Sequence, residues 1–184
     1  MSDPALSKIK SLLATAEPPD LGPGPRPGIR DQADLEDLLE PIFGQSTLSV
    51  ERQALVRALV LLWHDHLDAA HTIAQEIENR DGNLVHAIMH RREPDYTNSK
   101  YWLRRVGSHP CFQEIGRRAT ELFESQNEKD LRAKLLANGS WDAVAFTEAC
   151  ERAMRKGDFG AQSQLLRNVQ QIETEALLNH LLVS

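Results

Sequence analysis

Residues 63–110 read WHDHLDAAHTIAQEIENRDGNLVHAIMHRREPDYTNSKYWLRRVGSHP, and this stretch decides the fold. Leu84, Val85 and Ile88 recur at helical spacing, as do Tyr96, Ser99, Leu103 and Val106. Turn signals interrupt the pattern at Asp81-Gly82, Glu93-Pro94 and Gly107 to Pro110. Short helices joined by short connections pack as antiparallel neighbours. The expected class is therefore all-α: antiparallel helical hairpins, either stacked in a right-handed array or gathered in an irregular bundle.

The whole chain agrees with that class. Its 184 residues include 25 Leu and 19 Ala but only eight Val and eight Ile. That balance favours helix and excludes an all-β sandwich. The longest uncharged apolar run, Ala58 to His64, is far shorter than the roughly 20 residues needed to cross a bilayer. The N-terminus, MSDPALSKIK, lacks a basic region followed by an apolar block, so no secretory signal is expected. Two cysteines point to reduced thiols and a cytoplasmic location. A net charge of −6 argues against nucleic acid as a partner.

Residues 1–17 read as a short helical arm with Leu6, Ile9, Leu12 and Leu13 on one stripe. Residues 18–30 form a linker; Pro18 to Gly28 alone holds five prolines and three glycines, which exclude helix or strand interior. The arm is either packed on the body or tethered to it. Residues 31–184 read as one helical domain. Asp31 or Asp34 caps a helix through Glu40, and Ser49 opens a long segment at Val50. Further helices are expected over 83–92, 96–106, 112–125, 128–137, 140–156 and 159–182.

Three strings, at 66–70, 95–99 and 158–162, each follow one helix and open another. Eight residues before them stand the small residues Ala58, Ala87 and Cys150, which let paired helices approach closely. This pattern, clearest at Gly157-Asp158-Phe159, resembles the tetratricopeptide repeat, although the spacings of 29 and 63 residues depart from 34. The strings HAIMHRREPDY (86–96) and NSKYWLRR (98–105) resemble an uncharacterised bacterial and fungal family. That resemblance covers residues 63–110 and implies no activity.

Six of the seven histidines fall between His64 and His109. On the helix over 83–92, His86, His90 and Glu93 share the face opposite Leu84, Val85 and Ile88, with Asn83 beside them. His86 and His90, one turn apart, suit a divalent metal ion. The preceding segment, taken as one helix, carries His64, Asp68, His71 and Gln75 on one face. If the two faces meet, four histidines and two acids converge. His66 is expected to be buried. Asn98, Tyr101 and Arg105 share a face of the next helix, with Lys100 and Arg104 on another. With Arg91 and Arg92 these cations suit an anionic small molecule or an acidic peptide; the alternative is salt bridging to Glu93, Asp95 and Asp68. Trp102 reads as a hairpin-packing residue, Cys150 as inert and Cys111 as more exposed. HExxH, GxSxG, CxxC and Gly-rich phosphate loops are absent from the sequence. The expected function is a helical binding or interaction module with a polar site at His64, Asp68, His71, His86, His90, Glu93, Asn98, Tyr101, Arg104 and Arg105. The alternative is a small-molecule or metal-dependent enzyme using His64, His71, His86, His90 and Glu93.

Overall fold

The computed structural model describes residues 4–157 and 160–183, and all regular structure among them is helical. The helices are α1 (Pro4–Leu12), α2 (Gln32–Phe43), α3 (Val50–Trp63), α4 (Leu67–Ala74), α5 (Arg80–Arg92), α6 (Tyr96–Val106), α7 (Cys111–Ser125), α8 (Lys129–Leu135), α9 (Ala143–Lys156) and α10 (Ala161–Leu182). A 3₁₀ turn at Ala137–Gly139 stands where the Asn138-Gly139 break was expected. The strongest repeat signal, Gly157-Asp158-Phe159, falls partly on residues 158 and 159, outside the described residues.

Local chemistry explains the starts. Ser49, Asn79, Asp95 and Asp142 each accept a backbone N–H three residues on, filling an orphan donor of α3, α5, α6 and α9. Gly157 ends α9 with a left-handed φ of 60°. One expected break shifts. Asp81 and Gly82 lie in the first turn of α5, not between helices, because Asn79 supplies the cap. Gly82 serves close packing: a Cβ there would stand 2.0 Å from the Ile77 carbonyl oxygen.

Hairpins α3–α4 and α5–α6 run through the middle of the chain. Ala58, Ala87 and Cys150 are fully buried, as the close approach of paired helices requires, and Ser99 Oγ donates to the Ala87 carbonyl at 2.8 Å. α10 packs on α3, α7 and α9, drawing the hairpins into a bundle around one core. α3 is buried nearly all round from Leu55 to Trp63, so it is the inner helix.

The expected linker is a strap held against this core. Ile9, Leu12, Leu13 and Leu21 are buried. Arg167 donates to the Pro18 carbonyl, Gln170 to the Pro19 and Asp20 carbonyls, and Arg92 Nε to the Gly22 carbonyl at 2.8 Å. The Asp65 carboxylate, fully enclosed, pairs with Arg26 at 2.6 Å and Arg92 at 2.7 Å. Gly24 (φ 84°) lies against it; a side chain there would collide with Asp65. The arm is thus packed, not tethered. Arg91 and Arg92 are also not surface cations: Arg91 pairs with buried Glu173, and Arg92 with Asp65. Their partners differ from the expected Glu93, Asp95 and Asp68, because both side chains point inward to distant elements.

Candidate histidine metal centre

The segment from 50 to 75 is not one helix. It breaks at His64 to His66, where Asp65 takes a φ of 64° and α4 restarts. The break separates the histidines. His64 accepts the Arg30 N–H at Nδ1 (3.1 Å) and donates from Nε2 to the Leu12 carbonyl (2.8 Å). Both ring nitrogens are thereby engaged in holding the arm, and burial lowers its pKa. His66 is only half-buried and donates to the Arg30 carbonyl at 2.8 Å. Asp68 is exposed, lining a cleft of about 400 Å³ with Glu93, Pro23 and Pro25. His64 and Asp68 therefore stand outside the cluster expected of them.

Three histidines do converge. His71 from α4 meets His86 and His90 from α5, with ring centroids 4.8 Å and 5.0 Å away; His86 and His90 stack at 4.6 Å. One ligand nitrogen from each lies within 4.8 Å of the others. Nitrogens sharing one tetrahedral zinc stand about 3.3 Å apart, so small rotations about χ angles complete the set. His90 Nδ1 donates to Glu93 Oε2 at 3.0 Å, and its Nε2 accepts from Asn98 Nδ2 at 3.0 Å. That tautomer puts the lone pair on Nε2, where a metal ion would take the place of the Asn98 amide, and the carboxylate behind the ring orients it as metal-site carboxylates do. His86 is packed against Trp102, ring centroids 4.3 Å apart, and its buried Nε2 has no hydrogen-bond partner. An unmet polar atom in a buried site is costly unless something fills it.

A second cluster has a different character. Asp81 Oδ1 accepts from His109 Nε2 at 2.7 Å and from His180 Nε2 at 3.0 Å. His109 Nδ1 accepts the Cys111 N–H at 3.2 Å, which puts the proton on Nε2. The nitrogen facing the cluster is thus already a donor, so this trio is a hydrogen-bonded clasp joining α5, the α6–α7 connection and α10. Composition flagged His109 among the clustered histidines, but its pairing with His180 bridges 71 residues and no local spacing reveals it. Cys111, expected to be exposed, is buried beside it, and burial raises its thiol pKa. Cys150 is buried too, its pKa pushed up to about 12. Neither thiol is an activated nucleophile.

Tyr101, Arg104 and Arg105 are exposed on α6, and Trp102 is half-buried. Arg105 lies over the Trp102 ring at 5.4 Å and over Tyr101 at 5.9 Å. A separate cavity of about 780 Å³, lined by Phe112, Trp141 and Val144, contains none of the three converging histidines.

The histidine pKa values predict acid sensitivity. Burial, reinforced by His90 and His71, lowers His86 to about 4. Burial also lowers His90, against the pull of Glu93. The folded state then binds fewer protons than the unfolded chain between pH 4 and 6.5. Stability from His86 is complete above about pH 6.5 and is lost as pH falls toward 4. The His109 hydrogen bond lowers Asp81, so its contribution is present above its unfolded pKa of 3.8 and disappears further down. Urea unfolding at pH 7 and pH 4.5 is expected to show a marked loss in wild type, up to about 3 kcal/mol of it through His86. His86→Phe is expected to flatten that slope, and an unchanged slope would contradict the assignment.

No described helix is long and apolar enough to cross a membrane. No protein-family model, no curated protein and no solved structure matches this chain.

Proposed function

We propose that the chain is a helical binding module whose polar site takes a divalent transition-metal ion, zinc or a close relative, at His71, His86 and His90. The convergence of three imidazoles on one point, with a buried His86 nitrogen left unpartnered, carries this reading. The supporting chemistry is consistent. Ligating histidines must be neutral, and the lowered pKa values of His86 and His90 keep them so at physiological pH. Glu93 orients His90 through Nδ1, and Asn98 is the donor that the ion displaces from Nε2.

A metal-dependent enzyme is the second reading. Its support is that three protein ligands leave one coordination position for water or substrate, the arrangement of catalytic zinc sites.

Zinc titration of chelator-treated protein tests the site. Wild type is expected to bind one equivalent, with His86→Ala and His90→Ala weakened at least about tenfold, the least that losing even an orienting partner costs. Glu93→Gln is expected to weaken binding less. Chelator-treated wild type that takes up no zinc in the titration would overturn the proposal. So would variants that lose stability while zinc affinity stays the same.

A further inference from the structure

Asn98, Trp102 and Arg105 stand at i, i+4 and i+7 on α6, and so on one face of that helix. Asn98 touches His90, Trp102 stacks on His86, and Arg105 lies over Trp102. The histidine centre is therefore roofed by an indole and a guanidinium. That guanidinium is unspent. Elsewhere Arg26, Arg57, Arg91, Arg92, Arg118 and Arg167 each reach a carboxylate. Among the described residues Arg104 and Arg105 reach none, in a chain of net charge −6. One turn before His86 on α5, Asn83 Oδ1 is a second buried polar atom without a partner. With His86 Nε2 given to the ion, Asn83 Oδ1, an acceptor, calls for a ligand that carries a donor.

We propose that the site binds a small oxyanion bearing an O–H group, a hydrogenphosphate or a hydroxycarboxylate. The inference rests on the metal reading above. One oxyanion oxygen occupies the coordination position the three imidazoles leave. A second meets the Arg105 fork, with Arg104 adding charge at the rim. The ligand O–H donates to Asn83 Oδ1. Tyr101 and Trp102 hold Arg105 in place from below, sparing it the loss of rotamer freedom that a free arginine pays on binding.

The experiment uses full-length protein loaded with Co²⁺, whose visible absorption reports a change of ligand at the metal. Inorganic phosphate is titrated in one arm and glycolate in the other. At least one anion is expected to shift the spectrum saturably, and the arm that responds identifies the class. Arg105→Gln is expected to weaken that response about ten- to a hundredfold, the loss of a charge-assisted contact, with Co²⁺ affinity unchanged. Asn83→Ala, read the same way, is expected to weaken the anion but not the metal. If Co²⁺ binds in a histidine-dependent manner and neither anion shifts the spectrum, or Arg105→Gln responds like wild type, this inference fails and the metal site stands. If Co²⁺ does not bind at all, both fail together.

Discussion

Glu173→Ala is expected to cost about 3–5 kcal/mol of stability, the usual penalty for stranding one member of a buried ion pair. Glu173 is fully buried on α10 and receives both terminal nitrogens of Arg91, one of them at 3.2 Å. Arg91 is 1% exposed, and its guanidinium lies 4.6 Å from the Phe146 ring centre. With the carboxylate gone, that charge keeps only the ring face, and its Nε already lacks a partner. Urea unfolding measures the loss; a cost below about 1 kcal/mol, the size of a surface pair, would refute the assignment. The double variant Arg91→Met, Glu173→Leu is expected to recover most of the loss, since apolar groups of similar volume replace such pairs well. A double variant as unstable as the single one would show that the cost lay in packing.

Asp65→Ala is expected to cost about 3 kcal/mol, near the lower end of the same range. Asp65 is the shared acceptor of Arg26 and Arg92 and also takes the Arg26 backbone N–H at 2.9 Å. Removing it strands two cations. Arg26 escapes the penalty by leaving with the strap, whereas Arg92 then loses its bond to the Gly22 carbonyl and keeps only that to the Leu62 carbonyl of α3. The stability loss should therefore come with a local opening. Amide exchange over residues 22–30 is expected to speed up in Asp65→Ala while α3 and α10 stay protected. Uniform acceleration across the bundle, or none in the strap, would refute the clamp.

Local signals in the sequence carried most of the secondary structure. Asp31, one expected cap, stands before α2 without a side-chain cap bond, whereas the Ser49 cap acts within three residues and was readable for that reason. The His86/His90/Glu93 face was readable for the same reason: one helix, fixed periodicity. What escaped was set by contacts between distant segments. His64 looked like a member of that site because helical phase was carried across residues 64–66, but Asp65 turns the chain in order to receive Arg26 and Arg92. The pairings Arg91 with Glu173 and Asp81 with His180 join residues 82 and 99 positions apart, and no periodicity encodes them. The proline-glycine segment showed what it could not form. Its order depends on side chains elsewhere, above all Arg92, Arg167 and Gln170.

The inner position of α3 bears on synthesis. α3 offers no broad polar face, and α10, which covers one side of it, begins about a hundred residues later. At roughly 5–20 residues per second, translation leaves that apolar helix without its cover for about 5–20 s. During that interval Leu55 to Trp63 is available to any apolar surface it meets, so yield in the cell depends on chaperone capacity and growth temperature before it depends on the stability of the finished bundle.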